Sequence, residues 1–567
     1  MRILGIVTDT HDSGIALLRD GVPEIVIEEE RLNRKKHTQR FPARALDAAL
    51  TARGLSLADI DALATPWNVS RLRRTFAAAV LSRLPASWNL IRKDAHPTQR
   101  NEIVFLNQRL RYKLRGQFAT RQLPPLYNVG HHDAHAAVFF VSPFENATVL
   151  VMDGYGDDAS TSVYTGDGGR LTRHWHLGMF NSLGMIYTFV THYLGFAGFA
   201  DEGKVMALAA FGDKTYDRQF RDVVALTDDG RYTIDMSYFS YDAYGMLQPF
   251  GPKFIEAFGP PRQPGEPLTE RHKDIAHALQ ARTEEVILHV CRALSKAHPS
   301  RNLVLTGGVA LNCIANARVL AETDYAHVWV PPVASDSGAP LGAALWHHHQ
   351  TLGHSRSWTL RSAALGLSYS DEEIKAAIAA RGLACEHMTE AAMIERAARD
   401  LAAGRVLGWF QGRFEIGPRA LGHRSILADP RSVTMRDTIN QKIKRREGFR
   451  PFAPAILKER VSEFFAFEDE DPFMTMAPRA RAEKAHLLAA GIHVDHTGRI
   501  QTVDRDTNPR YWNVIEAFGR LTGVPALLNT SFNEQEPIVN RPEEAIDCYL
   551  RTDMDALVLE TFYLSKR

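Results

Sequence analysis

Apolar and polar residues alternate in short runs at the start of the chain. RILGIV, IALLRDG and EIVIEEER are parted by the acidic turn TDTHDSG and by Gly21, which predicts a meander of short antiparallel strands over residues 2–31. ARALDAALTARG (43–54) changes to a helical period and stops at Gly54. The same order returns at 148–176, where TVLVMDGYGDD, STSVYTG and RLTRHWHL read as strand, acidic turn, strand, turn and strand. Two copies about one small domain apart suggest an internal duplication, although hairpins also resemble one another by chance. Farther on, residues 272–299 predict one long amphipathic helix with Ile275, Leu279, Val286, Val290 and Leu294 on a stripe. It feeds the strand NLVL (302–305), the turn TGGVALN and the helix NCIANARVL. The polar stretch HHHQTLGHSRSW (347–358) then marks a boundary near 355–366, with its three leading histidines read as a solvated helix end.

Composition narrows the class. A chain of 567 residues is too long for one hydrophobic core, and 45% hydrophobic with 23% charged residues is ordinary globular usage. The net charge of +1 supplies no global field toward nucleic acid or an anionic membrane, so neither is expected as a partner. Cys291, Cys313, Cys385 and Cys548 stand too far apart for paired-cysteine zinc or redox sites. The opening MRILGIVTDTHDSG has no signal-peptide pattern and no apolar run approaches a membrane span, which predicts a cytoplasmic protein.

Three constellations carry chemistry. In HHDAHAAVFF, His131 and His135 are four apart, so both imidazoles leave one helix face and can share a cation. Asp153 in VMDGYGD and Asp336 in PPVASDSG follow apolar strands and are the candidate carboxylate partners; iron, zinc and manganese all suit such a set. In GFADEGKVMALAAFG, Lys204 beside a glycine turn suits phosphate but also suits a plain surface. From Arg405 to Arg450 there are nine Arg and two Lys against two Glu and two Asp, a net of +7. Interleaving with glycine, proline and apolar residues predicts partly buried guanidinium groups, whose planar forks call for a polyanionic ligand. The paired glycines of TGGVALN, set between strand and helix, let backbone approach a nucleotide. Together with two acidic hairpin turns they resemble the actin, sugar-kinase and chaperone ATPase fold.

The ordered set HDSGIALLRDG, EEERLNRKKH, HHDAHAA, VMDGYGD, DEGKVMALAAFG, GGVALNC, PPVASDSG, GPRALGHRS, FRPFAP and NTSFN resembles the nodulation-protein-U type O-carbamoyltransferases, over roughly residues 1–350 and 400–550. The resemblance implies an α/β protein of two domains. Residues 1–355 would form a duplicated actin-like fold with a metal site, and residues 366–567 a threonylcarbamoyl-AMP-synthase-like α/β fold with a twisted sheet. It implies ATP and carbamoyl phosphate as substrates, a divalent metal with iron the first choice, and magnesium as a companion of ATP. Carbamoyl adenylate would form in the second domain and pass its carbamoyl group to a hydroxyl in the first.

Residue by residue, the resemblance implies His131, His135, Asp153 and Asp336 as metal ligands. It implies Arg419, Arg424, Lys444 and Arg450 around carbamoyl phosphate, and Arg499, Asn529 and Asn533 on the nucleotide. Asp9, His11 and Lys36 would line the acceptor side with His11 as the base, and Lys204, Gly307, Gly308 and Asn312 would form the first domain's nucleotide turns. The acceptor would be a hydroxylated small molecule such as a sugar or antibiotic. Oligomeric state stays open, a homodimer included.

Residues 65–125 match no motif and are read as shaping the acceptor pocket, with Arg71, Arg73 and Arg74 solvated. The rival readings are a tRNA threonylcarbamoyltransferase-like enzyme, which would want a basic RNA face, and an ATP-binding regulatory module. A hydrogenase-maturation enzyme would carry paired-cysteine fingers, and a zincin would place glutamate where Asp133 stands.

Overall fold

The computed structural model describes residues 1–91, 105–263 and 265–566, so part of the 65–125 stretch lies outside the described residues. The chain divides into two compact units. One comprises Met1–Glu24 with His37–Thr359, the other Ile25–Lys36 with Leu360–Arg567. Within residues 1–355, Ile25–Lys36 falls in the second unit. This short excursion inside the first motif is held there by long-range contacts that no local pattern reveals. Buried Arg31 donates to Gly417 O (2.6 Å), Gly417 N donates to Glu28 (2.7 Å), and Arg34 donates to Ile538 O (2.8 Å).

In the first unit, β1 (Arg2–Val7), β2 (Gly14–Arg19), β3 (Val22–Glu28), β4 (Ala62–Thr65) and β5 (Leu126–Asn128) form a sheet in the order β3-β2-β1-β4-β5, and the end of β3 passes into the second unit. β1 pairs antiparallel with β2 and parallel with β4, which is parallel to β5. The next strands are β6 (Asn146–Met152), β7 (Ala159–Asp167), β8 (Arg170–Gly178), a small hairpin of β9 (Val224–Leu226) and β10 (Tyr232–Ile234), β11 (Asn302–Thr306) and β12 (His327–Trp329). Their larger sheet runs β12-β11-β6-β7-β8, antiparallel from β6 through β8 and parallel from β6 through β12. The two sheets have one plan, three antiparallel strands followed by two parallel ones. This repetition is the duplicated arrangement of the actin-like fold.

The stripe residues Ile275, Leu279, Val286, Val290 and Leu294 are all buried on the helix Glu270–Ala297. The short helix Ala339–Leu345 is apolar all round and buried throughout. Gly342 permits this: a Cβ there would sit 1.9 Å from Ala134 O. Contrary to the solvated reading, His347, His348 and His349 are buried. The helix continues past Leu345 as a wider turn, which turns the rings inward; His347 stacks on Tyr127 (3.9 Å) and His349 lies against Phe140 (4.8 Å).

The second unit is an eight-stranded mixed sheet. Its strands are β13 (Glu386–His387), β14 (Leu407–Phe410), β15 (Arg424–Ala428), β16 (Ala453–Leu457), β17 (Gln501–Val503), β18 (Ala526–Ser531), β19 (Ala556–Leu559) and β20 (Phe562–Ser565), ordered β13-β20-β19-β14-β15-β18-β16-β17. Alternation along β14 sends Leu407 and Trp409 to one face, against Met393, Val514 and Phe518, and Phe410 to the other, with Ile374, Ile546 and Tyr549. Helices thus cover both faces of the sheet. No helix among the described residues is long and apolar enough to cross a membrane.

Candidate functional site

The first unit assembles its site from strand ends and helix starts. His131 and His135 lie on the helix His131–Ala136, Asp153 follows β6, and Asp336 opens the turn before Ala339–Leu345. These four residues each bring one ligand atom to within 4.8 Å of the others. His131 Nε2 is 3.3 Å from Asp153 Oδ2 and 3.2 Å from Asp336 Oδ1, and His135 Nε2 is 3.3 Å from Asp336 Oδ1. His131 Nδ1 donates to Pro66 O (3.2 Å), which turns Nε2 toward the cluster. Trp67 stacks on the same ring at 4.3 Å.

Burial opposes charge on His131, but Asp336 and Asp153 outweigh it and hold the ring well above its ordinary range. Burial would likewise raise Asp153, yet His131 brings it down to about 2. Two imidazoles and two carboxylates converging in a buried space form a nitrogen–oxygen donor set whose negative charge fits a divalent cation.

The glycine turn serves this cluster directly. Gly307 has φ +88°, and a Cβ there would meet Met152 O at 2.2 Å; Gly308 N donates to Asp153 Oδ1 (2.7 Å). Only glycine lets the turn lie this close to the end of β6. Asn312 caps the helix Cys313–Glu322 and exchanges amide hydrogen bonds with Gln280 (2.9 and 3.0 Å). Lys204 stands 3.2 Å from Asp201 and over the Phe196 ring.

His11 Nε2 lies 3.8 Å from Asp336 Oδ2. Burial opposes its charge, but Asp336, Asp12 and Asp153 raise it to about 10. Asp12 bonds His37 (2.8 Å), and the hydrogen bonds from His11 and His37 overcome burial to hold its carboxyl well below the usual range. Asp9, Asp12 and His37 all have positive φ, a concentration of backbone strain typical of functional turns.

Sequence reasoning passed over several of these groups. Asp157 accepts from His131 N and Asn68 N (2.9 Å each), and burial pushes it up to about 7. The acid run GYGDD was the available signal. Buried Asp9 Oδ1 accepts from Arg109 (3.1 Å) and Lys113 (3.0 Å) on the helix Leu106–Phe118, inside the stretch that matched no motif. That stretch also supplies Pro66 and Trp67. Arg71 is half-buried rather than solvated, 3.8 Å from Asp133 and 3.7 Å from Asp158, whereas Arg73 and Arg74 are exposed. Lys36 falls in the second unit, whereas Asp9 and His11 belong to the first, and its charge bears on Lys444.

In the second unit the basic segment separates into two sets. Many of its arginines have internal partners. Fully buried Arg424 donates to the carbonyls of Gln411 (2.9 Å), Gly412 (3.1 Å) and His423 (3.0 Å) and stacks on Phe410. Arg413 donates to Gly366 O and Leu365 O, Arg431 binds Asp429, and Arg445 binds Glu534. Backbone carbonyls and distant acids, absent from a local charge count, satisfy them.

The other set is a concentration of cations. Lys444 is buried, and its Nζ reaches Ser531 O (2.5 Å), Asn533 O (2.8 Å) and Asn533 Oδ1 (2.6 Å), so it also clamps the turn after β18. Burial and the charges of Arg446, Lys36 and Arg450 hold Lys444 well below its ordinary range; burial, Arg450 and Arg499 do the same to Arg446. Arg446, which sequence reasoning did not single out, donates to Asn440 (2.7 Å) over the Phe452 ring. Arg419 is half-buried. Asn529 donates to Ala420 O (3.0 Å) and to Gln501 Oε1 (2.8 Å). Gln501 in turn lines a shallow, open pocket with Arg361, Leu421, His423 and Asn508.

Against known proteins, residues 2–345 match the family described as Carbamoyltransferase N-terminus and residues 398–566 that described as Carbamoyltransferase C-terminus. The chain is 39% identical to an uncharacterised protein of Synechocystis sp., over 100% of this chain and 96% of that one. It is 39% identical to nodulation protein NolNO of Sinorhizobium fredii, over 99% of this chain and 80% of that one. It is 33% identical to the 3'-hydroxymethylcephem-O-carbamoyltransferase of Amycolatopsis lactamdurans, over 64% of this chain and 65% of that one.

Proposed function

Because the chain belongs to the carbamoyltransferase family, we propose that it is an ATP-dependent O-carbamoyltransferase that makes carbamoyl adenylate in its second unit and transfers the carbamoyl group to a hydroxylated small molecule in its first. The observation that carries this reading is a pair of unlike sites. Four metal-type ligands converge in one unit, and Lys444, Arg446, Arg450 and Arg499 influence one another in the other, with Glu447 the acid beside them.

Cations held near one another in a low-dielectric setting call for anions, and the two substrates bring phosphates. Water cleaves carbamoyl phosphate to carbamate and phosphate; a carbamate oxygen then attacks the α-phosphorus of ATP, and pyrophosphate leaves. Arg419, Arg450 and Arg499 neutralise the phosphate oxygens as charge shifts toward the leaving group. Lys444 holds the Ser531–Asn533 turn and adds its charge to theirs. Asn529, through Gln501, sets one wall of the pocket that would receive part of the nucleoside.

In the first unit His131, His135, Asp153 and Asp336 would hold the divalent ion, iron in the first instance, which when bound supplies a Lewis acid for the adenylate. Transfer forms a bond from the acceptor oxygen to the carbamoyl carbon and breaks the carbon's bond to the AMP oxygen. The hydroxyl proton goes to His11 Nε2, which is available once the charge of Asp336 is compensated. Asp12 orients that ring through Nδ1 (3.4 Å). Enclosure keeps water from the labile adenylate.

The test separates the two sites. His131→Ala should still release pyrophosphate when carbamoyl phosphate is present, yet form no carbamoylated product. Arg450→Ala should form no adenylate but should transfer from synthetic carbamoyl adenylate. Joint loss of both activities in each folded variant would overturn the division. Carbamoyl-phosphate-dependent pyrophosphate release also separates an enzyme from an ATP-binding regulatory module.

A further inference from the structure

The overall charge of +1 conceals one strongly one-sided region. Residues 65–125 hold ten Arg and two Lys against two acids, Asp94 and Glu102. Part of this charge is used inside the first unit, where Arg71 faces Asp133 and Asp158, Arg83 binds Asp242 (2.7 Å), and Arg109 with Lys113 binds Asp9. Arg73, Arg74, Arg111, Arg115 and Arg121 are exposed.

Exposed apolar side chains occupy the same stretch. Leu81 (70%), Leu84 (49%) and Trp88 (64%) follow one another at the end of the helix Val69–Ser82. On that helix Ser70, Arg73, Arg74, Ala77, Ala78 and Leu81 all face solvent, so its outer side runs from cationic to apolar. Phe105 (56%) lies under the Arg73 guanidinium at 5.8 Å, and Tyr112 (80%) stands between Arg111 and Arg115. Isolated exposed leucines need no explanation, but a run of them with tryptophan inside a strongly basic segment does.

We infer that the surface formed by Leu81, Leu84, Trp88 and Phe105 with Arg73 and Arg74 docks on an anionic phospholipid membrane. Charge complementarity selects the occupant: arginines fit lipid phosphates and the negative leaflet, while leucine and tryptophan fit the headgroup–acyl boundary. Trp88 and Phe105 are aromatic faces on which bases can stack, but a nucleic acid offers no apolar phase for Leu81 and Leu84. A second copy of the chain would bring a like-charged, strongly basic segment against this one. The expectation of no membrane partner rested on net charge, which averages this segment with acidic residues elsewhere. The helix Leu106–Phe118 joins this surface to the proposed site, because its Arg109 and Lys113 grip Asp9 while Tyr112 faces outward.

The full-length protein is sedimented with sucrose-loaded vesicles of phosphatidylcholine alone or with about a third phosphatidylglycerol. Binding should require phosphatidylglycerol and weaken with salt. Arg73→Glu with Arg74→Glu should lower the partition coefficient more than tenfold, since each arginine near such a surface contributes about fivefold. Trp88→Ser should lower it several-fold, and Arg111→Glu with Arg115→Glu gives an independent pair; thermal melts check that all remain folded. His135→Ala should bind vesicles as the wild type does, so vesicle binding and carbamoyl transfer fail separately. The inference is overturned by absence of binding, by equal binding to neutral vesicles, or by indifference to Trp88. Displacement from vesicles by excess tRNA, or a dimer in solution that Trp88→Ser dissolves, would assign the surface to nucleic acid or to self-association instead.

Discussion

Gly342→Ala tests how the metal-type cluster is held together. A Cβ at position 342 would lie 1.9 Å from Ala134 O and 2.7 Å from Ala134 C, whereas real Cβ contacts stay beyond about 3.0 Å. The helix Ala339–Leu345 must therefore retreat by roughly 1 Å or more from the helix His131–Ala136, or both must distort. Both partners are backbone, so no side-chain rotation relieves the contact. Overpacking of this kind costs about 1–3 kcal/mol, and with backbone on both sides the upper end applies. For a unit of this size that is a melting-temperature loss of roughly 5 °C or more. The chemical consequence is larger, because Asp336 opens the moving helix while His131 and His135 ride on the stationary one. Metal distances tolerate about 0.2 Å, so a 1 Å shift should reduce affinity by about tenfold or more. Calorimetry gives the melting temperature, and metal analysis after dialysis against a weak chelator gives occupancy. Unchanged melting with full occupancy would refute the claim that helix approach builds this cluster.

Purified protein should carry about one divalent transition ion per chain, and His135→Ala should lose it; full occupancy in that variant removes the ligand assignment. Arg419→Ala should cut carbamoyl-phosphate-dependent adenylation by about 10²-fold or more, and normal pyrophosphate release would show the arginine to be a solvated charge. Lys444→Met keeps the buried stem but strips a donor from Ser531 and Asn533. It should lower adenylation by a similar ~10²-fold while costing only about 1–3 kcal/mol of stability, since relief of a buried cation offsets the lost hydrogen bonds. Burial would raise Asp495, but hydrogen bonds from His493 and Thr497 bring it down to about 2. Its stabilising contribution is present above pH ~3.8 and is lost as pH falls through ~2. Asp495→Asn should therefore flatten that part of the acid-unfolding curve by about 1–2 kcal/mol, and an unchanged curve would refute the pairing.

Much of the fold is legible in the sequence because its signals are local. Strand alternation and turn residues at 2–31 and again at 148–176 expose the duplication, and the two sheets repeat one strand order. The four-residue spacing of His131 and His135 puts both rings on one helix face whatever surrounds it. The acidic turns after apolar strands mark Asp153 and Asp336 as partners, and the four ligand atoms do gather. Counting charge over 405–450 locates a cationic region, but not which cations serve a ligand. Arg424 is consumed by carbonyls that exist only once β14 and β15 lie side by side.

Tertiary structure alone decided the partners across long separations. Asp9 meets Arg109 and Lys113 about a hundred residues away, Lys36 leaves its own motif for the second unit, and Pro66 O orients the His131 ring. His347, His348 and His349 look solvated in a polar string, yet a wider helical turn buries all three. Residue spacing encodes the direction of a side chain along its own element, whereas burial and pairing depend on which other elements pack against it.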